Sequence, residues 1–423
     1  MTAPTVQHTV DHLFRHESGK MVAVLSKLLG FQQLQVAQDI VQDTLLQALQ
    51  SWSFNGIPDN PSGWLYRVAQ NKAIDLLRRE KKFREISPRY AYLLESEYTL
   101  LPTINQLFEE ESINDSQLGM IFACCHPSIN IESQIALALK TLCGLGVNEI
   151  ARAFLTSEET IAKRIYRAKE KIRTEGIEPV IPPAQELPAR LDAVLHCIYL
   201  LFNEGYNSSH PDELIREELC EEAMRLAYLL TQQRQTALSR TKALIALFCF
   251  QASRLQSRID DGHIILLKYQ DRNRWFRPLM DKGFQYLDEA ISGEFENSTY
   301  HIEAAIAALH ASAPSFEETD WKGIHSLYEH LFMLHPSPVI AMNKAIAMGY
   351  ASSREKALEA LSMIKGLDEY YLFHTAVGEL NFELNRKEEA ANYYRKAMKR
   401  THSKIEQDLL KSKIQQCQDS GDC

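Results

Sequence analysis

The sequence predicts an all-α protein, and three observations lead to this prediction. Apolar residues recur at helical period through residues 10–30 and 34–51. Two helices joined by a tight turn are predicted at 147–173, where the apolar spacing is again three and four residues. Residues 300–400 repeat with a period of 33 residues, which is typical of stacked helical hairpins.

The composition indicates a globular protein of several domains. At 423 residues the chain is long enough for about two to four domains. Its 45% hydrophobic and 24% charged residues are typical of such proteins. Residues 1–20 lack the apolar run of a signal peptide, and no later stretch is long and apolar enough to span a membrane. We therefore expect a cytoplasmic protein without a membrane partner.

The eight cysteines form no CxxC pair, and the expected cytoplasmic compartment should keep them reduced. Cys124, Cys125 and His126 resemble one corner of a metal site, but no second pair at ligand spacing accompanies them. Burial as small hydrophobic side chains is the favoured interpretation. The sequence predicts no metal ion and no other cofactor.

Positive charge is concentrated in two segments of an acidic chain. The net charge is −9, yet residues 63–84 hold seven Lys and Arg against two acidic residues, a net +5. Residues 152–173 hold seven against three, a net +4. A local basic patch matters more for phosphate binding than the total charge of the chain.

The first basic patch lies on a predicted helix that begins at Pro61, after the Pro-, Gly- and Asn-rich loop 54–63. Trp64 and Tyr66 lie near its start, and its polar face carries Arg67, Asn71, Asp75, Arg78 and Lys82. Aromatic rings beside a basic helix suit single-stranded or melting DNA, because bases stack on rings while phosphates contact cations. Two core aromatics next to a solvated helix face would give the same pattern.

The second basic patch lies on the predicted helix pair at 147–173, whose turn falls at 154–157. Thr156 and Glu159 fit a capping box at the start of the second helix. The buried face of this helix carries Ile161, Ile165, Ala168 and Ile172, and the outer face carries Thr160, Lys163, Arg164, Arg167 and Lys171. Such a pair can enter a major groove. A charged hairpin with a solvated surface carries the same residues, so both interpretations stay open on this segment alone.

The rest of the chain is predicted to be mainly helical. Residues 81–114 read as a mostly extended linker with a short helical piece, followed by helices at 117–125 and 132–142. Four prolines in residues 178–188 mark a domain boundary, and everything beyond it is expected to be helical.

The C-terminal repeat aligns small and bulky residues at equal spacing. Residues 33 positions apart form three sets: Ile324, Ala357 and Ala390; Tyr328, Leu361 and Tyr394; Leu331, Ile364 and Ala397. Ala345 and Gly378 share this spacing. The pattern resembles tetratricopeptide repeats, which stack helical hairpins around a concave surface for partners or for intramolecular docking.

The order of these segments resembles the extracytoplasmic-function sigma factors, which direct bacterial RNA polymerase to promoters. The segment VAQDIVQDTLLQALQSW (36–52) is similar to regions 2.1–2.2, and GWLYRVAQNKAIDLLRREKK (63–82) is similar to regions 2.3–2.4. Residues 116–173, which contain EIARAFLTSEETIAKRIYRAKEKIR, are similar to regions 4.1–4.2 with their helix-turn-helix. Residues 186–423, with LFNEGY and QDRNRW, resemble the C-terminal extension of one branch of that family.

The resemblance implies a domain order for the whole chain. It places the sigma region 2 helical bundle at 8–82, a linker at 83–114, and the sigma region 4 helix-turn-helix domain at 115–176. A helical middle domain at 186–295 and TPR-like repeats at 300–415 complete the chain.

The resemblance also implies a role for individual residues of a specificity subunit that performs no bond chemistry. Asp39, Gln42 and Asp43 would contact core RNA polymerase. The opened −10 strand of the promoter DNA would contact Asn60, Trp64, Arg67, Asn71, Arg78 and Arg79. The −35 major groove and flanking phosphates would contact Thr160, Lys163, Arg164, Arg167 and Lys171. Glu158 and Glu159 depart from a purely cationic reading helix: they complement the helix N-terminus, or Glu158 accepts a hydrogen bond from a cytosine amine.

The resemblance leaves two roles open for the C-terminal domain, namely shielding the basic helices by intramolecular docking or docking on polymerase. If it replaces a separate anti-sigma protein, deletion of residues 180–423 should change promoter activity without a partner gene. The sequence does not indicate whether the C-terminal domain activates or inhibits transcription.

Two other classes of function are compatible with parts of the sequence. A DNA-binding regulator with a repeat sensor domain explains 147–173 and 300–400 but leaves 36–82 without a role. A metal-dependent hydrolase would use His196, Glu204 and His210, although the chain has no HExxH, GxSxG or glycine-rich phosphate loop. Residues 204–206 (Glu-Gly-Tyr) instead suggest a small-molecule pocket between helices.

Overall fold

The computed structural model describes residues 6–79, 106–154, 156–208, 214–292 and 297–419. These residues form eighteen α-helices and one hairpin of two very short strands, which confirms the all-α prediction. Contacts divide the chain into two compact units, Met1–Leu201 and Phe202–Cys423. Among the helices described, none combines the length and the apolar character needed to cross a membrane.

The first unit contains seven helices and the first part of an eighth. They are α1 (Val6–Leu29), α2 (Leu34–Asn55), α3 (Pro61–Arg79), α4 (Glu110–Cys124), α5 (Ile131–Leu142), α6 (Val147–Ala153), α7 (Glu158–Glu175) and α8 (Leu187–Tyr206), with a 3₁₀ turn at Phe31–Gln33. The predicted linker residues 80–105 lie outside the described residues, as do the side chains of Arg78 and Arg79.

Helix α1 forms the centre of this unit. Its C-terminal half is buried on all sides, including Met21 to Leu25 and the pair Leu28 and Leu29. It packs against α2, α3, α4 and α5. A Cβ atom on Gly19 would lie 2.0 Å from the carbonyl oxygen of Leu142, so glycine allows the end of α5 to approach α1 closely. A helix that is apolar all round is typical of a shared core.

The helix pair α6–α7 follows the predicted pattern, apart from its cap. Ile161, Ile165, Ala168 and Ile172 are buried, as predicted. The cap of α7 is Ser157 rather than Thr156: the Ser157 Oγ atom accepts a hydrogen bond from the Thr160 amide at 3.2 Å. Thr156 instead donates its own amide to the Ala151 carbonyl at 2.9 Å, which closes α6. The capping-box prediction was therefore wrong by one residue.

Helix α4 begins earlier than the sequence predicts. It starts at Glu110, whereas the sequence places the linker up to residue 114 and the helix from 117. Residues 116–124 are all buried, so this part of α4 has no polar face that would reveal its period, and the exposed Glu110 and Glu111 continue the acidic pattern of the linker.

The chain divides at Leu201, beyond the proline-rich segment 178–188 that the sequence favours as the boundary. A Cβ atom on Gly119 of α4 would lie 2.2 Å from the Pro179 carbonyl oxygen. An Arg190 terminal amino group donates to the Phe122 carbonyl at 2.5 Å, and the sulfur atoms of Cys125 and Cys197 are 3.5 Å apart. The prolines thus cover α4, and the first part of α8 belongs to the first unit.

The second unit contains the end of α8 and ten further helices. They are α9 (Glu217–Thr231), α10 (Ser239–Ala252), α11 (Arg277–Ile291), α12 (Thr299–Ser312), α13 (Trp321–Leu334), α14 (Pro338–Ala351), α15 (Arg354–Ser362), α16 (Tyr371–Glu383), α17 (Lys387–Met398) and α18 (Lys404–Asp419), with 3₁₀ turns at Leu255–Ser257, Leu267–Tyr269 and Arg272–Arg274.

Residues 255–275 correct the expectation that everything beyond the prolines is helical. Ile259–Asp260 pairs antiparallel with His263–Ile264 across Asp261 and Gly262, both of which have positive φ. An Asp-Gly pair is a strong hairpin signal because both residues tolerate positive φ.

The repeat positions coincide with buried helix contacts from α13 to α17. Ile324, Ala357 and Ala390 are completely buried, one in each of α13, α15 and α17. Gly378 packs against Tyr394 so closely that a Cβ atom would lie 2.6 Å from the ring. Neighbouring helical hairpins thus place small residues against large ones.

The seven described cysteines are buried and form no disulfide bonds, so the predicted burial of Cys124 and Cys125 is confirmed. Burial raises the pKa of the Cys124 thiol to about 12, which disfavours the thiolate. Cys423 lies outside the described residues.

Truncation tests the position of the division. Fragment 1–201 should unfold cooperatively, whereas fragment 1–180 uncovers the completely buried Phe122 and Cys125. Its free energy of unfolding should fall by about 2 kcal/mol or more, as measured by thermal circular dichroism. Fragment 1–206, which completes α8, serves as the control and should match 1–201. Equal melting temperatures for 1–180 and 1–201 would contradict the division.

Candidate nucleic-acid interface

Asn60 fixes the start of helix α3. Its side-chain oxygen accepts a hydrogen bond from the Gly63 amide at 2.8 Å, while the side chain itself stays exposed. This contact satisfies an amide that has no partner within the helix. Asn60 is therefore a helix cap in the protein alone, whichever other contact it makes.

The two aromatic residues at the start of α3 are partly engaged by the fold. The half-buried Trp64 ring meets Trp52 edge-on at 5.4 Å between centroids. The Tyr66 hydroxyl donates to Glu17 at 2.7 Å, and its ring meets Phe108 edge-on at 6.0 Å. Both rings are held in place, and each keeps some exposed surface.

Arg67 and Asn71 lie on the exposed face of α3, opposite the buried Leu65, Ala69 and Ala73. No described carboxylate pairs with Arg67, so its charge is available to a phosphate. Arg78 and Arg79 lie in the last turn of α3, and their side chains lie outside the described residues.

The outer face of α2 combines acidic, amide and apolar groups. Asp39, Gln42 and Asp43 are exposed, as predicted, and Asp39 accepts a hydrogen bond from Gln35 at 2.8 Å. Leu46 follows at helical spacing on the same face and is 56% exposed. Sequence reasoning missed Leu46, although an apolar residue among outward positions was visible in the pattern.

Most side chains on the predicted outer face of α7 contact nearby polar groups. Three ion pairs engage its cations: Lys163 with Glu159 at 2.6 Å, Arg164 with Glu132 at 2.5 Å, and Lys171 with Glu175 at 2.6 Å. The Thr160 hydroxyl lies 2.8 Å from that of Ser157. Arg167 is exposed, and none of the described carboxylates pairs with it.

These ion pairs are weak enough to be exchanged for DNA phosphates. Lys163, Glu159 and Glu132 are more than 60% exposed, and exposed pairs contribute about 0 to 1 kcal/mol. The acidic first turn of α7 thus has a structural explanation, since Glu159 pairs with Lys163 and both acids lie at a helix N-terminus.

Lys169 joins α7 to α2 and was missed by sequence reasoning. Its ammonium donates to Gln35 at 2.8 Å and to Gln38 at 2.7 Å. Burial and the neighbouring Lys140 lower the pKa of Lys169. On α7, Lys169 lies next to Ala168, at the edge of the buried face. This position was the one sign in the sequence that Lys169 could contact another part of the fold. The structure therefore connects the two predicted DNA-binding segments through α2.

Comparison with known proteins identifies the N-terminal part of this arrangement. The family described as Sigma-70 region 2 matches residues 13–83, which contain most of α1 together with α2 and α3. The chain therefore contains a sigma-70 region 2 domain. A family of unknown function (DUF6596) matches residues 190–291.

Relatives extend this likeness to different shares of the chain. The uncharacterized protein R00370 of Rhizobium meliloti is 36% identical over 386 residues, and this likeness covers 90% of each chain. The ECF RNA polymerase sigma factor SigE of Mycolicibacterium smegmatis is 26% identical, over 38% of this chain and 60% of its own. A probable RNA polymerase sigma factor of Haemophilus influenzae is 23% identical, over 36% of this chain and 84% of its own. No solved structure matches significantly.

The hydrolase alternative gains no support from the residues that suggested it. No group of three His, Cys, Asp or Glu side chains within the described ranges is arranged to hold a metal ion, and His210 lies outside those ranges. Gly205 packs tightly against Cys220 of α9, and the Tyr206 ring lies under the Arg258 guanidinium at 3.9 Å. Residues 205 and 206 thus serve helix packing.

Replacing Lys169 tests the connection between α2 and α7. Lys169→Met removes both hydrogen bonds to α2, so amide hydrogen exchange in α7 and in residues 31–38 should become faster. Lys163→Met is the matched control, because Lys163 pairs only within α7. Mass spectrometry of exchanged peptides gives the readout. Equal exchange in the two variants would show that Lys169 does not hold the segments together.

Proposed function

We propose that this chain is an alternative sigma factor of the extracytoplasmic-function type. It binds core bacterial RNA polymerase and directs it to promoters, with region 2 melting the −10 element and region 4 reading the −35 element. The observation that carries the proposal is the region 2 match over α1–α3, where Arg67 and Asn71 are exposed on α3. In this role the chain performs no bond chemistry.

The polymerase contact is the outer face of α2. Asp39, Gln42 and Asp43 surround Leu46, whose exposure is high for a large apolar side chain. An apolar centre with a polar rim is the usual anatomy of a protein interface.

The −10 contact is the exposed face of α3. Arg67, Arg78 and Arg79 contact phosphates, Asn71 and Asn60 offer amides to an unpaired base, and Trp64 stacks on it. The packing of Trp64 on Trp52 supports this role, because a ring held in place loses little entropy on stacking.

The −35 contact is a helix-turn-helix formed by α6 and α7. Thr160, Lys163, Arg164, Arg167 and Lys171 contact bases and flanking phosphates, and the three α7 ion pairs exchange their carboxylates for phosphate oxygens. Because each exchanged pair is weak, this step opposes binding little.

The proposed −10 and −35 contacts can form at the same time only if α7 separates from α2. The −10 and −35 elements are about 25 base pairs apart, or about 85 Å along B-DNA. Lys169 of α7 lies within hydrogen-bond distance of Gln35 and Gln38 on α2, to which α3 also packs. A side-chain hydrogen bond to α2 and a helix packing distance of about 10 Å are both much shorter than the spacing of the two elements. The proposal therefore includes an opening of the first unit on polymerase and promoter.

The C-terminal helices modulate this activity in the proposal. The buried small residues at a 33-residue spacing support TPR-like hairpins, such as Gly378 against Tyr394. Intramolecular docking on the sigma segments, in place of a separate anti-sigma protein, stays a prediction.

Transcription with purified core polymerase tests the proposal. Core enzyme, full-length protein and a library of genomic promoter fragments should yield run-off transcripts that share sequence elements upstream of their start sites. Core enzyme alone should yield none. Transcripts that require polymerase already loaded with another sigma factor would instead identify a DNA-binding regulator and contradict the proposal.

Point variants in the same assay separate the two contacts. Leu46→Gln should weaken binding to core polymerase roughly tenfold, because a large apolar side chain would no longer be buried. Met363→Gln is the control, since Met363 is 79% exposed in the second unit. Arg67→Gln should reduce transcripts while leaving binding to core polymerase unchanged.

A further inference from the structure

A cavity of about 230 Å³ lies within the second unit, and none of its lining residues belongs to the proposed polymerase or DNA contacts. Residues of α10, α12 and α13 line it, together with Leu267 and Trp275 from the segment that joins α10 to α11. It therefore spans the end of the DUF6596 match and the first helical hairpin beyond that match.

One wall of the cavity carries a buried arginine without a counter-ion. The Arg254 side chain is enclosed by the fold, and its accessible part lines the cavity. Its Nε atom has no hydrogen-bond partner, and no described carboxylate pairs with the guanidinium. A buried charge without a partner is strongly destabilising, so proteins normally pair it.

The surroundings of Arg254 add positive charge and further unsatisfied groups. Arg254 and Arg272 lie 5.4 and 4.9 Å from the centre of the Trp275 ring. The Trp275 indole nitrogen and the His310 Nδ1 atom are buried without hydrogen-bond partners. Burial next to the two arginines lowers the pKa of His310 to about 3, so His310 is neutral at physiological pH. Unsatisfied groups are rare in native interiors, and three around one cavity indicate a site that is completed by a ligand.

Arg272 is not the free cation of this cluster. It donates to the carbonyl groups of His310 and Ala313, the latter at 3.0 Å, and to the Thr319 hydroxyl at 3.1 Å. These bonds fix Arg272 beside Trp275. Among the described arginines beside Trp275, this leaves Arg254 to receive an anion.

The residues that line the cavity indicate which kind of anion it would bind. Phe250 and Ile306 offer apolar surface, and the volume is below the range of about 300 to 1,000 Å³ typical of larger ligands. Glu303 also lines the cavity, and burial together with the charge of Glu303 raises the pKa of Tyr328. A carboxylate near the site disfavours a dianion, whereas a guanidinium binds a carboxylate group through two parallel hydrogen bonds.

We propose that this cavity binds a small organic monocarboxylate, whose carboxylate group pairs with Arg254 and whose apolar part contacts Phe250 and Ile306. Because the cavity is lined from α10 to α13, the ligand would hold the DUF6596 segment and the first helical hairpin together. The proposal does not depend on the sigma-factor proposal, since all its residues lie in the second unit.

Calorimetric unfolding of the full-length protein tests the site with probes of matched shape. Acetate, butyrate, benzoate and phenylacetate are each compared with the corresponding neutral amide, and inorganic phosphate is tested at equal ionic strength. At least one carboxylate should raise the melting temperature of the second unit by about 2 to 4 °C at saturation, while its amide should not. No carboxylate effect, equal effects of acid and amide, or an effect of phosphate alone would overturn the proposal.

A pair of variants assigns the effect to Arg254. Arg254→Met should abolish the carboxylate effect, and the free variant should be at least as stable as the unsubstituted protein, because an unpaired buried charge is removed. Arg274→Met is the control, since Arg274 is exposed and pairs with Asp260. A carboxylate effect that persists in Arg254→Met would overturn the assignment. If Arg254→Met fails to fold, Arg254 is a structural residue, and the acid-to-amide comparison on the unsubstituted protein decides whether the cavity binds carboxylates.

Discussion

The burial of the C-terminal half of helix α1 on all sides is the constraint on which the first unit depends. The same apolar helix packs against α2 and α3 of the region 2 match and against α4 and α5 of the segment that follows. Gly19 brings the end of α5 so close that no larger residue fits without displacement. The two segments proposed to contact DNA therefore share one hydrophobic core, and separating them exposes apolar surface that free protein keeps buried.

Weak polar contacts add to the apolar packing of this core. The cations of α7 pair with exposed carboxylates, and Lys169 bonds to two glutamines of α2. None of these contacts is strong, so polymerase and promoter phosphates can replace them at little free-energy cost. In the proposed mechanism, the apolar core opposes the separation of α7 from α2. The charged surface determines which partner can bind and cause this separation. The buried Arg254 differs in kind, because its charge is enclosed and its partner must enter a cavity.

The sequence predicted those helices that bury a single face, and it did not predict features that lack such a pattern. Helices α2, α3 and α7 each have one buried face, so their period and their outward residues were predicted. The start of α4 at Glu110 was missed, because its exposed first turn continues the acidic pattern of the linker and residues 116–124 are buried without a polar face. The division at Leu201, the Lys169 contacts and the Arg254 cavity depend on residues far apart in the chain, which leave no local pattern. The Asp-Gly hairpin at 261–262 did leave a signal, and it was overlooked among helical neighbours.

The distance between α3 and α7 tests the central claim most directly. Spin labels on cysteines introduced at Asp75 and Tyr166, both exposed, can be measured by pulsed electron resonance because the seven described native cysteines are buried. The account predicts one narrow, short distance distribution for the free protein. It predicts a distribution longer by about 30 Å or more with core polymerase and promoter DNA, as the spacing of the two elements requires. An unchanged distribution in the complex that initiates transcription would contradict it.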